Sequence, residues 1–305
     1  MPNAYTLIPH ASPLMFPKLT LIGIGLIGSS LARALKEQGV ARTITIGDIN
    51  PDHCAKALEL GLAQYATTDL ASAVEDADCV IICTPVSTYS SIVKTIAPHL
   101  KAGCILTDVG SVKQQVIDAV LPHVPAGVAF VPAHPIAGTE HSGPTAGFAA
   151  LFKNRWCILT PLENTPPAAT ATIKKLWEAM GSNVEIMTAA HHDKVLAITS
   201  HLPHLIAYTI VGTATELETS LQAEVIKFSA SGFRDFTRIA ASDPIMWRDI
   251  FLNNREAVLD ILGRFTEDLT ALQKAIRHGD GDTLQQWFTH TRAIRKGIVE
   301  AEREG

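Results

Sequence analysis

Between Lys18 and Met187 short β-branched runs alternate with stretches in which apolar residues recur at helical spacing. Leu19 to Ile24, Thr43 to Gly47, Val80 to Cys83, Ile105 to Thr107, Val128 to Val131 and Cys157 to Leu159 predict strands. Ser29 to Gln38 and Ser90 to Leu100 predict amphipathic helices between them. The alternation describes βαβ units in a mostly parallel sheet with helices on both faces. After Pro166 and Pro167 one more helix, Thr170 to Met180, and one more strand, Val184 to Met187, complete the pattern. Beyond Thr188 strand-like runs stop and long helical patterns take over. Asp243 then Pro244 predicts a helix start, and Val258, Ile261, Leu262, Phe265, Leu269, Leu272 and Ile276 form one apolar stripe on the helix that follows. Gly279 to Asp282 breaks that helix before a last polar one. The expectation is an α/β domain over residues 1–187, with 1–17 as a loose extension, and an all-α domain over 188–305.

Composition narrows the partners. Thirty acidic against 25 basic residues give a net charge of −5, which argues against a basic face for nucleic acid. With 47% hydrophobic and 18% charged residues the chain can bury large cores. The richest apolar stretch, Leu205 to Val211, is interrupted by Tyr208 and Thr209, so no membrane span is expected. The first positive charge is Lys18, so the basic start of a secretory signal is missing, and Met15 reads as an alternative start. Cys54, Cys79, Cys83, Cys104 and Cys157 are odd in number and form no C-x-x-C pair. They read as reduced core residues of a cytoplasmic protein, with no thiolate metal site.

Gly23-Ile24-Gly25-Leu26-Ile27-Gly28 is a G-x-G-x-x-G between a predicted strand and a predicted helix. In that context the glycines make the tight turn, admit a pyrophosphate close to backbone and let helix and strand pack together. Asp48 ends the next strand, where a carboxylate accepts the ribose hydroxyls and repels a 2′-phosphate, and Ile49-Asn50-Pro51 brings no Arg. The first domain is therefore expected to be Rossmann-type, with NAD favoured over NADP.

Three polar segments leave predicted strands on the edge where open α/β sheets bind ligands. They are Thr84-Pro85-Val86-Ser87-Thr88, Asp108-Val109-Gly110-Ser111-Val112-Lys113 and His134-Pro135-Ile136-Ala137-Gly138-Thr139-Glu140. Ser111 and His134 form a plausible hydroxyl and imidazole pair, with His134 as the base candidate. A Ser-His-Asp hydrolase built on Ser111, His134 and Asp108 lacks the G-x-S-x-G elbow. In the helical half His201 and His204 lie three apart around Pro203, a spacing that suits polar contacts to a ligand, while no carboxylate or Cys beside them completes a metal set. Farther on, Arg234 and Arg238 flank Asp235, and Arg238 is expected to grip an acidic substrate with Asp235 fixing its orientation.

Together these blocks resemble the prephenate dehydrogenases, including the arogenate and cyclohexadienyl dehydrogenases of tyrosine biosynthesis. The resemblance runs from the glycine motif through Thr84-Pro85-Val86, the Asp108 and His134 segments, Ser200 to His204, Asp235 to Arg238 and Ser242 to Trp247. It implies an oxidative decarboxylation: a cyclohexadienol gives its ring hydride to NAD, loses CO2 and becomes aromatic. By resemblance His134 accepts the hydroxyl proton, Ser111 holds His134 and the hydroxyl in line, and Arg238, steadied by Asp235, binds the ring carboxylate. Ser200 and His204 contact the side-chain carboxylate, Glu140 belongs to a gating network, and Arg234 stands where relatives often carry Lys. The substrate is expected to be prephenate, with arogenate as the alternative, and the helical half is expected to form a homodimer. The chain ends at Gly305 without an appended regulatory domain, so L-tyrosine is expected to compete in the substrate pocket. Two rivals are a hydroxyacid-type dehydrogenase or pyrroline-carboxylate reductase, which would place a catalytic Lys on the long helix, and a non-catalytic NAD-binding sensor, which would have no use for Ser111, His134 and Arg238 together.

Overall fold

A computed structural model describes residues 14–139, 141–215 and 231–304. Its strands are β1 (Phe16–Ile22), β2 (Ala41–Gly47), β3 (Tyr65–Thr67), β4 (Cys79–Ile82), β5 (Ile105–Asp108), β6 (Ala129–Val131), β7 (Ala133–Pro135), β8 (Trp156–Leu159) and β9 (Asn183–Ile186). The helices of the α/β half are α1 (Leu26–Gln38), α2 (Pro51–Glu59), α3 (Leu70–Val74), α4 (Tyr89–Ile96), α5 (Gln114–Val120) and α6 (Pro167–Ala179). Then come α7 (Ala189–Leu196), α8 (Leu202–Thr215), α9 (Ser231–Thr237), α10 (Pro244–Asn253), α11 (Arg255–His278) and α12 (Gly281–Glu304).

Six strands form a parallel sheet in the order β3-β2-β1-β4-β5-β6. Side chains alternate across it: Leu19, Leu21, Cys79 and Ile81 enter the core that holds Trp177 and Phe152, while Ile22, Val80 and Ile82 enter the core that holds Tyr89 and Val93. Both faces are thus covered, as the continuous apolar runs require. The order reverses between β1 and β4, which opens a crevice beyond their carboxyl ends.

The last predicted strands do not join this sheet. Cys157 and its neighbours in β8 pair antiparallel with β7 and parallel with β9 in a second sheet, β7-β8-β9. The short β3 and β7 have no counterpart in the sequence pattern, because Tyr-Ala-Thr and Ala-His-Pro lack the β-branched apolar run that marks the equally short β6. β1 begins at Phe16, inside the expected extension, whose first residues lie outside the described ones.

The chain divides by compactness after Arg255. The second unit holds most of α11 and all of α12, and of the stripe read from the sequence only Val258 is fully buried, while Leu269 and Ile276 are exposed, as are Phe288 and Ile294 on α12. In the first unit α7 and α8 join through a wide turn, Ala197–His201, into one helical run. Ala189–Ala214 of that run, 26 residues containing an 18-residue stretch of mean hydropathy 1.4, are long and apolar enough by length and composition to cross a membrane. This corrects the reading of Leu205 to Val211 as too short: continuity with α7 supplies the missing length. The run also carries buried His192, Asp193 and His201, which are bonded within the α/β half and to α10.

Candidate active site

The nucleotide end is built around the turn after β1. Gly23 has φ +92°, and a Cβ there would stand 2.7 Å from Thr84 Cγ2; at Gly28 a Cβ would come within 2.1 Å of the Gly23 carbonyl oxygen. Only glycine closes this turn. Gly25 caps α1 with no side-chain hydrogen bond, and the space where its Cβ would stand is open, so Leu26, Ile27 and the residues after them begin a helix whose first N–H groups are not side-chain capped. Asp48, at the end of β2, accepts from Ile24 N–H through Oδ2 at 2.9 Å and from Asn50 N–H through Oδ1 at 2.9 Å. His53 Nδ1 stands 3.5 Å from the same carboxylate. Thr84, Pro85 and Val86 leave β4 beside this turn, with Thr88 Oγ1 donating to Thr84 Oγ1 at 2.8 Å or to the Pro85 carbonyl at 2.7 Å. An open helix start, a fixed carboxylate one strand away and no room for a side chain at Gly23 and Gly28 together fit a dinucleotide.

The candidate catalytic end is a buried chain of three side chains. His134 Nδ1 lies 2.8 Å from His192 Nε2, and His192 Nδ1 lies 2.8 Å from Asp193 Oδ1. Asp193 in turn accepts from Lys113 N–H at 2.8 Å and Gln114 N–H at 2.9 Å. Burial would raise the Asp193 carboxyl, yet the bonds from His192, Lys113 and Gln114 hold it below the usual carboxylate range. It is therefore an acceptor only, and the tautomers follow from that. His192 donates Nδ1–H to Asp193 and accepts at Nε2; His134 must then donate Nδ1–H, which leaves its Nε2 with a bare lone pair. Burial, then the neighbouring His192, Lys113 and His201, push His134 well below the ordinary histidine range, so it is neutral and basic in form.

The partner that orients His134 is thus His192, 58 residues away, and not Ser111. Ser111 is half-buried on the loop after β5 and, among the described residues, bonds to no side chain. Buried Asn254 uses its amide nitrogen to reach the Asp193 carbonyl at 2.8 Å and His201 Nδ1 at 3.1 Å. Burial drives His201 down to about 4.

Beyond this chain, His204 donates Nδ1–H to the Ser200 carbonyl at 2.8 Å, so the Ser200 backbone sets the His204 tautomer. The His204 ring stacks on Trp247 with centroids 3.6 Å apart. Burial lowers His204, the Ser200 carbonyl raises it, and the nearby Arg238 charge lowers it again. Arg238, Arg234 and Asp235 are exposed on and just after α9. Glu140 lies outside the described residues. His192, Asp193, Trp247 and Asn254 are the site residues that the reading by residue type left without a role. The signal for the first two was an adjacent His-Asp pair opening the first long helix.

A family model described as "Prephenate dehydrogenase, nucleotide-binding domain" matches residues 31–186, and one described as "Prephenate dehydrogenase, dimerization domain" matches 188–290. The glycine turn precedes the first match and rests on its own geometry. A cyclohexadienyl dehydrogenase of Zymomonas mobilis is 42% identical, covering 93% of this chain and 97% of the relative. A prephenate dehydrogenase of Bacillus subtilis is 34% identical, covering 92% and 76%. A crystal structure of prephenate dehydrogenase from A. aeolicus in complex with hydroxyphenyl propionate and NAD+ superposes with a TM-score of 0.87 at 34% identity, covering 94% and 100%.

His134, His192, His201 and His204 are all held below the ordinary histidine value, chiefly by burial. In acid the unfolded chain binds protons at these positions near pH ~6.5 while the folded chain does not, so stability rises with pH through that window. Unfolding free energies from urea titrations, and with them the midpoints, should therefore drop as the pH is lowered from about 7 to 5, the free energy by up to about 2 kcal/mol from His201 alone. Midpoints that stay level across that window would contradict the buried neutral cluster.

Proposed function

This chain belongs to the prephenate dehydrogenase family, and we infer that it catalyses the NAD-dependent oxidative decarboxylation of prephenate to 4-hydroxyphenylpyruvate, CO2 and NADH, a step of L-tyrosine biosynthesis. The observation that carries the mechanism is the hydrogen-bonded chain that leaves His134 Nε2 as a bare lone pair. Bound NAD supplies the hydride acceptor. His134 takes the proton of the ring hydroxyl as that carbon becomes a carbonyl; His192 Nε2 accepts the imidazolium's Nδ1–H, and the Asp193 carboxylate holds His192 in the tautomer that can do so. Gly23, Gly25, Leu26, Ile27, Gly28, Asp48, Thr84, Pro85 and Val86 form the cofactor cradle, and Ser111 stands by the reacting hydroxyl.

We assign the ring carboxylate to Arg238, with Asp235 and Arg234 shaping the local charge, and the side-chain carboxylate to His204 and the Ser200 segment. The His204 tautomer adds a condition. Neutral, it presents Nε2 as an acceptor, so it donates to a carboxylate only as the imidazolium, and that contact takes up a proton. A gating role for Glu140 stays with the resemblance. Activity on arogenate as well is favoured by the Zymomonas relative, whose name covers both cyclohexadienyl substrates. Free cysteines, four of them buried, support a reducing, cytoplasmic location. We divide the chain functionally at residue 187, after β9, with α7 opening the helical half.

Incubation with NAD and either prephenate or arogenate, followed by NADH absorbance, tests the reading; no rise with either substrate would end it. In the same assay His134→Asn should lower kcat by ~10²-fold or more and abolish the acidic limb, with the KM for NAD little changed. Asp193→Asn should lower kcat by a comparable factor, because an amide at that position no longer dictates the tautomer of His192. Retention of the wild-type limb in His134→Asn would show that another group is the base.

L-Tyrosine offers a hydroxyl-bearing six-membered ring, aromatic as in the product, and a three-carbon acidic side chain without the ring carboxylate. It should compete with prephenate, with modest affinity because Arg238 loses its ligand. Initial rates at varied prephenate decide this: a lowered limiting rate at unchanged apparent KM would contradict a shared pocket.

The exposed apolar residues of α11 and α12, together with the dimerization-domain match, support a homodimer through the helical half. Light scattering at micromolar concentration should return twice the 32.7 kDa of one chain. A value near one chain mass would refute it.

A further inference from the structure

Asp108 and Lys113 form an ion pair with no exposed surface, 2.6 Å from Nζ to Oδ2. The base and its acceptor account for the reaction without it, so the reason for burying it needs a separate argument. A buried pair is weak as a source of stability, since desolvating two charges offsets most of their attraction.

The partners of the pair point to its use. β7 is the outer strand of the second sheet, and its outer edge at Ala133 meets this pair. Asp108 Oδ1 accepts from Ala133 N–H at 3.1 Å, and Lys113 Nζ donates to the Ala133 carbonyl at 2.6 Å. That carbonyl belongs to the peptide bond that carries His134. At the other end the backbone N–H of the same Lys113 donates to Asp193 Oδ1, the oxygen that accepts from His192. One residue therefore holds both termini of the His134, His192 and Asp193 chain.

We propose that Lys113 is a positioning residue for the reaction: its ammonium fixes the peptide of the base, and its backbone fixes the carboxylate behind the relay. The proposal rests on the assignment of His134 as the base and deepens it. A fixed cation disfavours a second positive charge beside it. His134 is faced by His192, Lys113 and His201, and Lys113 by Asp108, Asp193 and Cys157. Burial is the largest influence on both His134 and Lys113, and the Lys113 charge acts on His134 in the same direction as burial. Removing that charge must move His134 protonation to higher pH.

Lys113→Met keeps the length of the side chain and removes the ammonium. Because it leaves Asp108 unpaired, Lys113→Met/Asp108→Asn is the deciding variant should the single one fail to fold. Imidazole 15N NMR of the substrate-free protein should show His134 titrating at higher pH than in the wild type. Turnover should fall by ~10²-fold, with the KM for NAD changed by less than about 3-fold, the pattern of a misplaced base rather than a lost cofactor site. An unmoved His134 titration, or wild-type kcat in the neutral double variant, would overturn the proposal. The NMR arm needs no substrate, so an inactive wild type would count against the assigned reaction and leave this test intact.

Discussion

Because a carboxylate can only accept hydrogen bonds, Asp193 sets the direction of every proton in the buried cluster behind His134. Its oxygens are already claimed by two backbone N–H groups at the start of α5, so it stays ionised where burial alone would neutralise it. From there the order runs one way, through His192 to an unprotonated Nε2 on His134. A base built like this needs no charge of its own in the resting protein. That suits a site where two anionic groups of the substrate must be collected by a chain whose net charge is −5. Besides the buried, paired Lys113, exposed positive charge is carried by Arg234 and Arg238, on and just after α9.

The fold positions His134 at the strand ends by using two sheets. Had the segment after Val131 continued as another parallel strand, His134 would have pointed into a helix-covered face. Instead the chain turns after β6, and β7 pairs antiparallel with β8, opposing His134 to Ile158. The carboxyl end of β5 then meets the outer edge of β7 through Asp108, while α7 arrives over the same point with His192 and Asp193. Three segments distant in sequence thus meet beyond the strand ends near the switch between β1 and β4.

Local chemistry was what the sequence made legible. The glycine turn, Asp48 and the three polar loops announce themselves because each function lies within a few consecutive residues. Seven of the strands were likewise visible, the three-residue β6 among them because it lies in the apolar run Val128 to Val131. β3 and β7 were not, since Tyr-Ala-Thr and Ala-His-Pro carry no β-branched apolar run. The relay was hidden for a different reason: His134 and His192 are joined only by the tertiary fold, and a His-Asp pair on a helix reads as an exposed face until burial is known. Ser111 was paired with His134 on adjacency of loops, which fixes an edge of the sheet but not a bond across it.

The helical half shows how one residue type shapes such a cluster. Pro203 has no N–H for the carbonyl of Thr199, and its ring crowds that turn. The chain answers with a wide turn in which Leu202 N–H reaches back five residues to the Ala197 carbonyl. In an uninterrupted α-helix His192 and His204 would stand about 120° apart around the axis, at ~100° per residue. Absorbing one extra residue in the wide turn reduces this to about 20°. His204 is thereby rotated onto the side of the helix that carries His192, where it stacks on Trp247, while His201 is buried between them against Asn254. The proline that looks like a flaw in a long apolar helix is what aligns His204 with His192.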